Sequence, residues 1–193
     1  MITLRGLTVA FLAAAEGVEQ RELAGAWQAV LEAGGTPRLL ATRPGWVLAY
    51  RELDRADTFE VGAVIEESDA ADYAALVLPG GVVGVDRLRL EPAAVEFVRA
   101  FCTAGRPVAA IGHAPWLLIE AGAVRGRTLT SWPTLRTDLE NAGAAWVNEQ
   151  VRTCQAGQGP LITSRKSADL PLFTDALVNE CARLRGRLGP WGR

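Results

Sequence analysis

The stretch VAAIGHAPWLL, residues 108–118, carries His113, the only histidine in a chain of 193 residues. Imidazole is the side chain best suited to moving a proton near neutral pH. His113 directly follows Gly112 and precedes Pro115 by two positions. A buried apolar run, a sharp turn and a helix start make the layout of a nucleophile elbow, whose tip residue faces the site from a strained backbone position. That tip is normally Ser or Cys. Here it is glycine, which has no side chain to attack anything and accepts positive φ at little cost. Alone, His113 would be an ordinary polar residue at a helix start. Beside an elbow and a glycine-rich loop it becomes a candidate site residue.

The other groups with chemical potential are sparse. Cys102, Cys154 and Cys181 lack the spacing of a zinc site or redox pair, and with one histidine no metal site is expected. An odd, low cysteine count argues for a reducing compartment. Cys102 and Cys181 fall on apolar helix faces as inert thiols, whereas Cys154 lies in a turn-rich segment and is expected to be more exposed. Glu22 in EGVEQREL and Asp86 in VDRLRL would by themselves be solvated carboxylates. The six tryptophans read mainly as core and interface aromatics. Trp116 and Trp132 follow the turns near the elbow and are placed to wall a pocket. GGVVGVD is neither a GxGxxG fingerprint nor a P-loop.

These groups need a scaffold, and the apolar pattern supplies one. The runs at 7–13, 75–80, 108–112 and 160–164 are too continuous for half-exposed strands and suit parallel strands covered on both faces. Segments of helical period lie between them. In 19–34, Leu23, Trp27, Val30 and Leu31 share a face and Gly34–Gly35 supply the stop. In 91–104, Pro92 suits the first turn, Gly105 the C-terminal cap, and Val95, Val98, Phe101 and Cys102 the stripe. In 168–185, Phe173, Leu177, Cys181 and Leu184 form the stripe, with Ser167 as N-cap. Strand alternating with helix predicts an α/β fold: a three-layer sandwich around a mostly parallel, doubly wound, flavodoxin-like sheet. TPRLLAT reads as a second strand. WVLAYREL and TFEVGAVI read as short strands paired in a hairpin inserted near 44–65. No repeat or linker divides the chain, so 1–193 is expected to be one domain, with a fraying tail from about residue 186.

Bulk composition narrows the partners. Apolar residues are 49%, charged residues 22% and net charge −2. That balance gives no electrostatic reason to expect nucleic acid. The arginines at 183, 185, 187 and 193 are read as a solvated helix end. Arg5 followed by GLTVAFLAAA imitates a signal peptide, but the run is only about ten residues and continues into an amphipathic pattern, so a buried first strand explains it better. No stretch has the length to span a bilayer, and a cytoplasmic protein is expected.

Ligands of open α/β sheets bind beyond the carboxyl ends of the strands. Three segments mark such ends: AAAEGVEQRE, LPGGVVGVD and IGHAPW. These, with the long stretch GRPVAAIGHAPWLLIEAGAVRGRTLTSWPTLRTDLENAGAAWV and LITSRKSADLPLF, resemble the PfpI-type intracellular peptidases. That group sits within the superfamily of the Parkinson-associated deglycase and the class I glutamine amidotransferase-like domains. The resemblance spans about residues 7–180 and is weakest over 36–66.

The resemblance implies roles for particular residues. The family's elbow reads A-I-C-H-G/A-P, so Gly112 takes the position of the nucleophilic cysteine and His113 that of its neighbouring histidine. Glu22 matches the buried glutamate that meets the cysteine sulfur. Asp86 matches an acidic residue that reaches the neighbouring subunit's histidine in family oligomers, although there it is Glu and the loop before it is one residue shorter. Gly80 and Gly81 match the glycine pair lining the oxyanion pocket, to which the Ala114 backbone also belongs. A homo-oligomer is implied, a dimer built around the Asp86 loop that can assemble into hexamers, with a small-molecule or peptide ligand at the strand ends and no cofactor. Three functions stay open: a stress-response enzyme scaffold whose elbow cysteine has been changed to Gly112, a natural non-catalytic binding or scaffold member, and an enzyme with another nucleophile. The last, with a water activated by His113 or the Glu22 carboxylate as nucleophile, is the weakest, because the sequence supplies no replacement thiol or hydroxyl at the elbow.

Overall fold

The structure, a computed structural model, describes residues 3–188. Strand β1 (Thr8–Leu12) leads through β2 (Glu16–Glu19) into α1 (Gln20–Glu32) and β3 (Thr36–Ala41). The strands β4 (Trp46–Arg51) and β5 (Asp54–Glu60) come next, then β6 (Ala63–Val64) and β7 (Ala75–Leu78). The middle of the chain holds α2 (Val82–Leu88), α3 (Pro92–Thr103), β8 (Val108–Ile111) and α4 (Pro115–Glu120). The last third holds β9 (Thr128–Leu129), α5 (Arg136–Asn141), β10 (Ala145–Trp146), β11 (Val151–Cys154), β12 (Leu161–Ser164) and α6 (Leu170–Leu188).

Seven strands form the central sheet in the order β11-β12-β8-β7-β1-β3-β6, parallel throughout except where β11 runs against β12. Alternate strand residues feed two separate cores. Ala10, Leu12, Leu76, Leu78, Val108 and Ala110 pack toward the side of α3 and α4. Val9, Phe11, Val77, Ala109, Ile111 and Ile162 pack toward α1 and α6, against Leu23, Val30, Phe173 and Leu177. This two-sided burial is why the strands read as unbroken apolar runs. From β1 the chain crosses through α1 to β3. From β7 it crosses through α3 to β8, on the other side of β1. The strand order therefore reverses between β1 and β7, the place where α/β folds of this kind open a crevice.

Several boundaries differ from the sequence expectation for local reasons. The helix anticipated from residue 19 begins at Gln20, because Glu16–Glu19 pair in parallel with β4 as an extra strand. The expected hairpin is real, but β5 starts at Asp54, and the apolar end of TFEVGAVI leaves it to join the main sheet beside β3. Strand β5 is mostly exposed, so its charged residues hide it from hydrophobic patterning. Leu31 is 46% exposed rather than part of the α1 stripe. On α3 the buried face is Ala94, Phe97, Val98 and Phe101, with Val95 and Cys102 at its margin. Cys154 is buried rather than exposed, because it closes β11 against β12. Ser167 is not the N-cap of α6; a 3₁₀ turn of Ser167–Asp169 comes first. Helix α6 continues to Leu188, and the tail anticipated beyond it, with Arg193, lies outside the described residues. No helix among the described residues is long and apolar enough to cross a membrane.

Candidate active site

Residue 112 has φ +64°, a left-handed conformation that glycine adopts freely and other residues rarely do. Both backbone groups of Gly112 are tied down. Its N–H donates to the Ser164 carbonyl at the end of β12 (3.1 Å), and its carbonyl accepts from the Trp132 N–H (2.9 Å). Pro115 then starts α4 at its first position. Gly112 is thus a buried turn residue between the end of β8 and the start of α4.

Glu22 comes to this tip from α1. It is 4% exposed, on the same helix face as Leu23, Ala26 and Val30. Its Oε2 accepts the Gly80 N–H (2.8 Å) and its Oε1 accepts the Ser167 hydroxyl (3.2 Å). A Cβ on Gly80 would collide with that Oε2, so glycine at 80 is what lets the backbone approach the carboxyl group. A Cβ built on Gly112 would lie 3.2 Å from both carboxyl oxygens. Burial pushes the Glu22 carboxyl from its ordinary 4.5 up to about 7, against the lowering effect of the Gly80 and Ser167 hydrogen bonds, with the Glu19 charge adding to the rise. At neutral pH it is therefore divided between a proton donor and a base.

His113 sits beside this pair in an aromatic stack. Its ring lies 5.7 Å from Trp132 at 26° and 5.4 Å from Trp116 at 53°. Partial burial lowers its pKa, so the neutral imidazole dominates at pH 7. No described residue hydrogen-bonds the ring. Trp116 is held by its indole N–H on Asp138 Oδ2 (2.7 Å) and lies under the Arg89 guanidinium (5.4 Å). Trp132 is 38% exposed. A groove of about 420 Å³ lined by Arg89, Trp116, Ile119, Asp138, Asn141 and Ala142 shares Trp116 with the stack, but Glu22, Gly112 and His113 do not line it.

Of the residues singled out from sequence, Glu22, Gly80, Gly81, Gly112 and His113 converge. Gly81 presses against the backbone of β2, and its N–H has no acceptor among the described residues. The Ala114 N–H is occupied by the Ile111 carbonyl (3.1 Å), whereas the His113 N–H has no acceptor among the described residues. Asp86 does not join this group within one chain. Its side chain is 67% exposed on α2 and meets Arg89 at 3.7 Å. Ser167 was missed as a site residue, because nothing local to it announces a contact with Glu22, 145 positions away. Among the described residues no three His, Cys, Asp or Glu side chains gather as metal ligands.

The family model described as the DJ-1/PfpI family matches residues 7–180. General stress protein 18 of Bacillus subtilis is 43% identical over 113 residues, covering 58% of this chain and 63% of that protein. Protein/nucleic acid deglycase 2 of Escherichia coli is 41% identical over 122 residues, covering 63% of this chain and 66% of that protein. Each match thus spans just under two thirds of the relative's own length. Among solved structures, a two-domain protein of Anabaena variabilis with DJ-1/ThiJ/PfpI-like and ferritin-like domains superposes with TM-score 0.81 and 30% identity, covering 96% of this chain and 49% of that one.

Proposed function

The chain belongs to the DJ-1/PfpI family, and from that membership we propose a stress-response protein on a cysteine-hydrolase, glyoxalase or deglycase scaffold that performs no cysteine chemistry itself. The names of its relatives, a general stress protein and a protein/nucleic acid deglycase, support the first half of this reading. One observation carries the second half. The backbone position at the elbow tip, with both Glu22 carboxyl oxygens 3.2 Å from where a side chain would begin, is occupied by Gly112. On this reading a buried carboxyl, a neutral imidazole and amides without an acceptor among the described residues remain, and the attacking sulfur is missing. Loss of a central nucleophile normally costs orders of magnitude in rate.

The test is methylglyoxal consumption and peptide hydrolysis by the unaltered chain and by Gly112→Cys. The unaltered chain is expected to show neither at rates typical of a cysteine enzyme, and Gly112→Cys is expected to gain activity. Turnover of methylglyoxal by the unaltered chain would overturn the reading. The same reading makes the protein a homo-oligomer in which Asp86, free of His113 in its own chain, faces a second copy.

A further inference from the structure

The vacant elbow leaves a different hydroxyl against the base. Ser167 follows β12 at the carboxyl end of the sheet, on the same side as the elbow, and is half-buried. Its Oγ lies 3.2 Å from Glu22 Oε1, and the other carboxyl oxygen is fixed by the Gly80 N–H. A nucleophile within hydrogen-bond reach of a base, with the base oriented by a third group, is the arrangement of activated-serine chemistry. The N–H groups of Gly81 and His113, next in the chain to the Gly80 and Gly112 that adjoin this carboxyl group, have no acceptor among the described residues. Such donors stabilise an oxyanion. The other hydroxyls of this region are engaged elsewhere. Ser131 donates to the Trp132 carbonyl and accepts from the Trp146 indole, and Thr130 donates to the Glu149 carbonyl.

We infer that Ser167 and Glu22 form a serine–glutamate dyad that transfers acyl groups from small esters through an acyl-Ser167 intermediate. This rests on the reading that Gly112 leaves the elbow without a thiol, since a sulfur there would stand between the substrate and Glu22. As the Oγ–acyl bond forms, the Ser167 proton passes to the Glu22 carboxylate. The alcohol takes that proton as its C–O bond to the acyl carbon breaks. Water then attacks the acyl-serine, giving its proton to Glu22, and Glu22 returns it to Oγ as the carboxylic acid leaves. No other reactant is needed. Because Glu22 must be ionised to accept the proton and titrates near 7, the rate should climb as pH rises through that value. Glu19 is the charge acting on Glu22, and the Gly80 and Ser167 groups are its direct hydrogen-bond partners.

The test uses a fluorophosphonate and p-nitrophenyl acetate on the full chain. The expected result is one phosphonyl adduct, mapped to Ser167 by mass spectrometry, forming faster at pH 8 than at pH 6. The adduct should be absent in Ser167→Ala and at least tenfold slower to form in Glu22→Gln. If either variant does not fold, the site of the adduct and the pH profile of the unaltered chain decide the matter. No adduct, an adduct on another residue, or labelling that is indifferent to pH or to Glu22→Gln overturns the dyad. Methylglyoxal turnover by the unaltered chain would defeat the reading of the elbow instead, so the two failures are distinguishable.

Discussion

Glu22 and Gly112 face each other so closely that a single methyl group on residue 112 would touch both oxygens of the carboxyl group at 3.2 Å. A sulfur placed there enters a ready environment. In Gly112→Cys the thiol stands beside a carboxyl group that is partly protonated at pH 7 and near the His113 amide, which has no acceptor among the described residues. Protonated donors favour thiolate, so its pKa should fall below the ordinary value of about 8.5 and its reaction with peroxide should be fast. Thiol titration by absorbance at 240 nm checks this. A thiol that titrates at the ordinary value and resists peroxide would mark the site as a non-catalytic scaffold.

Gly112→Ala isolates the backbone. Forcing an L-residue to φ +64° and pressing its Cβ on Glu22 should cost about 1–3 kcal/mol. A urea titration measures the loss. An unchanged midpoint would mean that the elbow relaxes without strain.

Glu22 makes stability depend on pH in an unusual direction. Its folded pKa, about 7, lies above the ordinary 4.5, so the folded chain binds the proton more tightly than the unfolded one. This contribution is fully present below about pH 4.5 and is lost as pH rises through about 7. It amounts to about 3 kcal/mol. Glu22→Gln removes it. Urea midpoints at pH 5 and pH 8 should therefore fall more between the two pH values for the unaltered chain than for Glu22→Gln. Carboxylates shifted the other way, such as Asp169, cancel in that comparison.

The stack on His113 is directly observable because the chain has one histidine. Its ring protons should be displaced upfield by Trp132, and the imidazole should titrate below about 6.5. Trp132→Ala exposes the ring and should raise that pKa toward the ordinary value, while Trp132→Phe largely preserves it. A titration indifferent to both substitutions would remove Trp132 from the site.

Asp86 tests assembly. Its exposed pairing with Arg89 contributes at most about 1 kcal/mol within one chain. Asp86→Ala should therefore leave unfolding nearly unchanged but weaken self-association measured by light scattering. A monomer at micromolar concentration in the unaltered chain would remove Asp86 from any shared site.

Much of the architecture was legible from residue types. Continuous apolar runs gave the central strands, because a strand covered on both faces has no solvated side to alternate toward. Pro92 and Pro115 marked helix starts, and Gly105 a helix end, because their backbone limits act locally. The tight turn at Gly112, between β8 and α4, could be read for the same reason. The first half of β5, from Asp54 to Asp57, escaped detection because its pairing with β4 replaces burial as the reason for being a strand. Cys154 and Leu31 were misplaced because turn-rich flanks and helical period are weak guides to which atoms end up covered.

The sequence by itself determined the identity of the tip residue, the sheet that carries it and the presence of one imaginable proton carrier beside it. Only the tertiary structure decided that Glu22 is buried, that its proton is held to about pH 7, and that Ser167 rather than another hydroxyl leans on it. The reason is physical. A carboxyl group's affinity for a proton depends on the water removed around it and on donors within about 3 Å, and here those donors, Gly80 and Ser167, lie in the segments that follow β7 and β12, far from α1 along the chain.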